Sequence, residues 1–147
     1  DKLWLLTGEG QMFADGKLRG AQIPFYNVDV EQAIAHVTHL EAESSLVIPQ
    51  AGECDLAMCY MGRAMGDALP PGAVVLLKAV DRDAIIPGGE YVIVCRKIVT
   101  LRIVRLADGE DKLRLVAGDR ENYDDIILNV SDISSVYKVK GKLIINS

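Results

Sequence analysis

The sequence lacks any cluster of lysine and arginine residues. Lysine and arginine total 16 against 21 aspartate and glutamate residues, which gives a formal net charge of −5 at pH 7. The basic side chains stand among acids, as in Asp81-Arg82-Asp83 and Glu110-Asp111-Lys112. Nucleic-acid binding depends on neutralising phosphates with clustered basic groups. We therefore expect that residues 1–147 make no DNA contact themselves and that the mixed-charge stretches are solvated turns.

Long apolar runs are also missing, and cysteine is scarce. No stretch approaches the ~20 apolar residues that span a bilayer, and residues 1–4 show no secretory pattern, so we expect a cytoplasmic protein without a membrane partner. The three cysteines, Cys54, Cys59 and Cys95, form no Cys-x-x-Cys pair and lie in apolar runs. This pattern predicts reduced core residues rather than disulfides or metal ligands, and no cofactor is expected.

The N-terminal third changes in residue composition along its length. Residues 3–10 combine four apolar residues with two glycines, which predicts the end of a helix followed by a turn. Residues 11–22 are polar and contain glycine, as in a linker, and residues 23–26 predict an extended anchoring piece. The length of 147 residues suits one compact domain with a tail or linker.

Residues 29–43 are predicted to form one amphipathic helix, because apolar residues recur there at helical spacing. These residues are Val30, Ala33, Ile34, Val37 and Leu40. His36, His39 and Glu43 share a face of that helix and suggest a metal site at first sight. Since no fourth ligand is evident, we interpret them as a solvated face.

Beyond Ser45 the sequence alternates β-type runs with turn residues. The runs are rich in branched and aromatic residues and cover residues 74–77, 91–95, 98–106, 113–116, 126–128 and 136–139. Proline and glycine turns separate them at residues 70–72, 87–89, 108–109 and 140–142. This spacing predicts a mainly β fold, with antiparallel sheets around one core as a small sandwich or partly open barrel.

One segment is more specific than the rest. Residues 54–65, Cys-Asp-Leu-Ala-Met-Cys-Tyr-Met-Gly-Arg-Ala-Met, predict a buried strand and then a tight glycine turn that lifts residue 64 to a surface. A proline-glycine turn and a second buried strand follow at residues 69–76. This resembles the LexA-like, phage-repressor-type serine peptidases, which carry a Gly-Asp-Ser-Met turn before such a strand. Gly62 and Met65 match that turn, whereas Arg63 replaces its aspartate and Ala64 replaces its nucleophilic serine.

The resemblance continues from about residue 46 to the end of the chain. Residues 89–94 and 99–106 look like the family's paired strands, the second of which supplies a lysine. Arg102 stands at the lysine position, 38 residues after Ala64. Residues 5–12 are similar to the last turn of the helix-turn-helix domains that precede such peptidase domains in phage repressors. The resemblance therefore implies a helix-turn-helix tail at 1–13, a linker and helix replacing the cleavage-site region at 14–45, and a LexA-like peptidase-fold domain at 46–147.

The catalytic chemistry of that family is predicted to be absent. Ala64 has no hydroxyl to attack a carbonyl, and Arg102 stays protonated and so cannot accept a proton. The family's scissile bond would fall at roughly residue 31, inside the predicted helix, where no small-glycine pair occurs. Residues 51–52, an alanine-glycine pair, stand too close to Ala64 in sequence to fold back onto it. We therefore expect no catalytic residues.

Two substitute groups were weighed for the missing pair. Cys59 is a conceivable nucleophile, but a core cysteine is the favoured interpretation because it stands mid-strand without a nearby histidine. Lys97 is a conceivable base under a shifted register, but a solvated turn lysine is favoured because Arg96-Lys97 falls where a hairpin turns.

The function expected from the resemblance is that of a homodimerising C-terminal domain of a transcriptional regulator that contacts DNA through an upstream helix-turn-helix domain. Residues 142–145 either form the two-fold contact or close the core. One alternative is an active self-cleaving Ser/Lys-type peptidase that uses another residue. A second alternative is a ligand-sensing domain with its site around Ala64 and Arg102. Arg102 suits an anion there, although an arginine paired with an acid is the commoner outcome.

Overall fold

The computed structural model describes residues 4–5, 8–9, 22–48 and 53–145. Within these ranges the chain is mainly β, with a single short α-helix, α1 (Val30–Ala33), and several 3₁₀ turns. The strands are β1 (Trp4–Leu5), β2 (Gly8–Glu9), β3 (Gln22–Asp29), β4 (Ser44–Val47), β5 (Leu56–Tyr60), β6 (Ala73–Val80), β7 (Glu90–Cys95), β8 (Val99–Leu106), β9 (Lys112–Val116), β10 (Ile126–Asn129) and β11 (Ile133–Leu143). The mainly β fold predicted from the alternating runs is confirmed.

Nine of these strands, β3 to β11, form one mixed sheet in the order β10-β9-β8-β7-β11-β6-β5-β3-β4. The neighbouring pairs are antiparallel except β3 and β5, which run parallel. The sequence predicted several antiparallel sheets, whereas nine of the eleven described strands join into this larger mixed one and β1 pairs only with β2. Gly72 and Gly88 have φ of 97° and 98° in two of the predicted turns, a conformation that favours glycine.

The apolar side chains pack in three clusters instead of the one core that the sequence predicted. Alternate residues of β7 explain the division: Val92 and Val94 belong to one cluster, and Tyr91 and Ile93 belong to another. Successive strand residues point to opposite faces, so both faces of β7 are covered. The first cluster also receives the apolar face of α1 and the segment after it.

The predicted helix over residues 29–43 is wrong in length, although its apolar face is confirmed. Only Val30–Ala33 is α-helical, Ile34–His39 is a tighter 3₁₀ segment, and Leu40 is extended. Inside that segment His36 has non-helical angles, φ −117° and ψ 22°. Short 3₁₀ pieces at helix ends have poorer hydrogen-bond geometry and do not extend far. The five predicted apolar residues still pack on the first cluster.

The helix end predicted within residues 3–10 is also wrong where the structure describes it. Trp4–Leu5 pairs with Gly8–Glu9 as a two-stranded antiparallel sheet. A short apolar run does not distinguish a helix from a strand by its periodicity, which explains the error. Most of the predicted linker at 11–22 lies outside the described residues.

Segment 22–47 joins the same sheet as the later strands. β3 lies between β4 and β5, so residues assigned to a linker and helix region pair directly with the predicted peptidase-fold domain. The three-part division of the chain stays a prediction. Across the described ranges, no helix has the length and apolar character needed to cross a membrane.

Candidate functional site

A cleft of about 500 Å³ opens beside the first half of β8, with which β9 does not pair. β9 pairs with β8 only over Ile103–Leu106, so none of the described strands pairs with the preceding half of β8 on that side. The turn after β5 forms one wall, and the loop between β9 and β10 forms another. The lining residues are Glu31, Tyr60, Gly62, Arg63, Ala64, Lys97, Ile98, Val99, Thr100, Arg102, Tyr123 and Ile126.

The turn after β5 carries Ala64 to the cleft wall. Ala64 is only 8% exposed, so the turn does not lift it to an open surface as predicted. Its carbonyl accepts a hydrogen bond from the Asp119 amide at 2.9 Å. The neighbouring Met65 is fully buried in the first cluster and anchors the turn.

Two glycines allow this turn to pack closely against its surroundings. A Cβ on Gly62 would lie 2.7 Å from the Tyr60 hydroxyl oxygen, too close for real atoms. A Cβ on Gly118, in the loop after β9, would overlap the Met65 carbonyl oxygen. Sequence analysis identified Gly62 but missed Gly118, because the contact that requires it joins distant segments.

Arg102 enters the cleft from β8 and is 8% exposed. Its Nη1 donates to the Asp124 carbonyl at 3.2 Å, and its guanidinium carbon lies 5.9 Å from the centre of the Tyr123 ring. Its buried Nε has no hydrogen-bond partner among the described residues. No carboxylate within the described ranges forms an ion pair with it. The common outcome of an arginine paired with an acid is therefore not observed here.

The structure thus brings Ala64 and Arg102 into one cleft, the two positions that the sequence matched to a serine-lysine pair. A methyl group offers no nucleophile, and a guanidinium offers only donors. These side chains therefore cannot perform the attack and proton transfer of a serine-lysine peptidase. That they descend from such a pair stays a prediction.

Tyr60 lies fully buried beneath the turn. Burial raises its pKa from 10.0 to about 12, and the Glu31 carboxylate adds to the rise. The backbone amides of Met65 and Ala64, with the Arg102 guanidinium, act on this pKa in the opposite direction. The hydroxyl nevertheless forms no hydrogen bond of ordinary geometry with any residue that the structure describes. It is therefore a neutral, desolvated donor at the cleft floor.

Glu31 is a cleft residue that sequence analysis did not identify. Its Oε2 accepts hydrogen bonds from the Leu101 amide at 2.8 Å and from the Thr100 hydroxyl at 3.2 Å. The carboxylate thereby satisfies an amide on the side of β8 that β9 leaves open. Residue 31 is also where the family's scissile bond was expected. In this structure residue 31 lies in α1, and its carboxylate is hydrogen-bonded to β8.

The two substitute groups occupy different places. Lys97 is exposed in the bend between β7 and β8 and lines the cleft. Cys59 is not among the lining residues, and its Sγ donates to the Asn27 Oδ1 at 3.3 Å. Burial raises the pKa of the Cys59 thiol, and the carboxylates of Asp29 and Glu43 raise it further. The protonated thiol is a poor nucleophile.

Metal ligands are not assembled at this site. In the part of the chain that the structure describes, no group of three or more histidine, cysteine, aspartate or glutamate residues is placed to hold an ion. Arg63, the residue that replaces the family's aspartate, is exposed and lines the cleft.

Comparisons with known proteins do not assign the chain to a family. No family model matches the sequence, and no curated protein matches it either.

Proposed function

We propose that this chain is the C-terminal dimerisation and regulatory domain of a phage-repressor-like transcriptional regulator in the cytoplasm, without peptidase activity. The observation that carries the proposal is the cleft that holds both Ala64 and Arg102. Two positions matched from sequence as a nucleophile and its base lie together, and neither side chain retains the required chemistry.

The cleft is also poorly arranged for a cleavable segment of the chain. A peptidase that cuts itself needs an extended segment beside the nucleophile. Residue 31, the approximate position of that segment, is held in α1 by two hydrogen bonds to β8. This arrangement supports a domain whose remaining task is association.

The end of β11 offers a surface for that association. β11 pairs with β7 only as far as Lys138, so its later residues have no partner on the β7 side among the described strands. Leu143, the last residue of β11, is 38% exposed, and Ile144 and Ile145, which follow the strand, are 44% and 88% exposed. An unpaired strand edge with exposed apolar residues readily pairs with its copy around a two-fold axis. A dimer would set the spacing of two upstream helix-turn-helix domains, which make the DNA contact in this proposal.

Sedimentation velocity tests the dimer. We expect a dimer at micromolar concentration, and we expect Ile145→Asp to shift it towards monomer because a charge would enter the apolar contact. Ile127→Asp is the matched control, since Ile127 is 53% exposed in the edge strand β10, four positions from β11 in the strand order. A strictly monomeric chain would overturn the proposal, as would dissociation caused by Ile127→Asp alone.

Incubation at alkaline pH tests the absence of peptidase activity. The wild-type chain is expected to stay intact on a denaturing gel. Ala64→Ser is expected to stay intact as well, because the guanidinium of Arg102 offers only donors and cannot activate the new hydroxyl. Two fragments from the wild-type chain would instead establish the self-peptidase alternative.

A further inference from the structure

The cleft is positively charged although the whole chain is acidic. Three of its lining residues are cationic, namely Arg63, Lys97 and Arg102, and one is acidic, Glu31. Glu31 already accepts two hydrogen bonds from β8 through its Oε2. A cleft lined mainly by one sign of charge concentrates field and attracts ligands of the opposite sign. This cleft therefore favours an anion.

Two buried polar groups of the cleft have no partner among the described residues. These are the Nε of Arg102 and the hydroxyl of Tyr60, on side chains that are 8% and 0% exposed. Buried donors without acceptors cost free energy, and native proteins rarely leave them so. Both residues line the cleft, so its wall contains donor groups that the described part of the chain leaves without acceptors.

The uncharged lining indicates what else the ligand carries. Aromatic and aliphatic side chains contribute to the walls, and Tyr123 already lies against the Arg102 guanidinium. The remaining apolar residues are Ile98, Val99 and Ile126. The volume of about 500 Å³ falls within the range of small-molecule sites, which combine apolar walls with a few polar groups.

We propose that the cleft binds a small organic anion, a carboxylate on an apolar body, with Arg102 holding the carboxylate. A guanidinium edge matches the two oxygens of a carboxylate, which accept a parallel pair of hydrogen bonds. Lys97 and Arg63 are exposed at the rim and attract the anion without fixing its position. The proposal does not depend on dimerisation or on descent from a peptidase.

Titration with benzoate, followed by amide chemical shifts and by calorimetry, tests the site. We expect a Kd on the order of 1 mM for so small a ligand. The shifted amides are expected in residues 60–64, 98–102 and 123–126. Benzamide has nearly the same shape without charge and is expected not to bind. Phenyl phosphate distinguishes a general preference for anionic oxygens from one for carboxylates.

Variants assign the role of Arg102. Arg102→Met is expected to weaken benzoate binding about tenfold or more, because it removes a charge-assisted hydrogen bond. Arg105→Gln is the matched control on the same strand, where an exposed arginine lines a neighbouring groove with Arg114 and Arg120. If Arg102→Met fails to fold, Lys97→Gln provides the second variant, with an expected loss of about threefold.

Three results would overturn the proposal. The first is that benzoate shifts no amide of the cleft, whether or not phenyl phosphate does. The second is that benzamide binds as tightly as benzoate, which would remove the role of charge. The third is that Arg105→Gln abolishes binding and Lys97→Gln does not weaken it, which would place the anion in the neighbouring groove.

Discussion

Replacing Glu31 with alanine is expected to lower the free energy of unfolding by about 2 kcal/mol. The carboxylate accepts a 2.8 Å hydrogen bond from the Leu101 amide and a 3.2 Å bond from the Thr100 hydroxyl. Leu101 is fully buried and Thr100 is 6% exposed, so the alanine variant leaves a buried amide without an acceptor. A buried donor that loses its only partner costs about 1–3 kcal/mol, and the hydroxyl can rotate to reduce its own share.

Urea unfolding followed by far-UV circular dichroism measures this loss. With an m-value of roughly 2 kcal/mol/M, the midpoint for Glu31→Ala should fall by about 1 M. Glu31→Gln keeps an acceptor oxygen and should cost about 1 kcal/mol. Thr100→Val removes only the longer bond and should cost less than Glu31→Ala. Glu41→Ala, at an exposed position, should change stability by less than about 0.5 kcal/mol.

The reasoning would be refuted if Glu31→Ala cost no more than Glu41→Ala. It would also be refuted if glutamine were as costly as alanine at position 31, because the loss would then not come from the acceptor. Either result would mean that the open side of β8 is not stabilised by α1.

Two further predictions concern the floor and wall of the cleft. Burial, and then the Glu31 carboxylate, raise the pKa of Tyr60 from 10.0 to about 12. The neutral Tyr60 hydroxyl therefore contributes fully to the free energy of unfolding below pH 10.0, and this contribution is lost as the pH rises through about 12. The loss should approach about 3 kcal/mol and be absent in Tyr60→Phe; an equal alkaline loss in that variant would contradict the assignment. Gly118→Ala should destabilise the chain more than Gly62→Ala, because the new Cβ meets the Met65 carbonyl in one case and a side chain in the other. Thermal unfolding of both variants checks this order, and a reversed order would argue against the observed packing of the turn.

The strands could be predicted because the residue pattern that indicates each strand lies within that strand and its flanking turns. Runs of branched and aromatic residues, separated by proline and glycine turns, anticipated β7 to β10 closely but covered only part of β6 and β11. The turn predicted at residues 140–142 is wrong, because β11 continues through it to Leu143 with a register shift between Val139 and Gly141. The predicted run 98–106, for example, became β8 at Val99–Leu106. The meeting of Ala64 and Arg102 was anticipated only through the order of motifs in a resembling family. Nothing in the spacing or composition of the sequence around Ala64 and Arg102 indicates that the two residues lie close together.

Three features that sequence analysis missed depend on contacts between distant segments. Glu31 meets Leu101 across 70 positions, and nothing near residue 31 indicates that a carboxylate is needed there. Gly118 is required by the Met65 carbonyl, and the parallel pairing of β3 with β5 joins strands that α1 and β4 separate in the chain. Local patterns do not encode such pairings, since the partner is fixed only once the sheet has formed.

β11 lies between β7 and β6, yet it follows all the other described strands in the chain. During synthesis, the half-sheets containing β7 to β10 and β3 to β6 can each begin to form while the strand that joins them is still inside the ribosome. Until residues 133–143 emerge, β6 and β7 each present an open edge that another nascent chain can pair with. The final assembly of this sheet therefore waits until residues 133–143 have been made, and it requires contacts between strands that are distant in sequence.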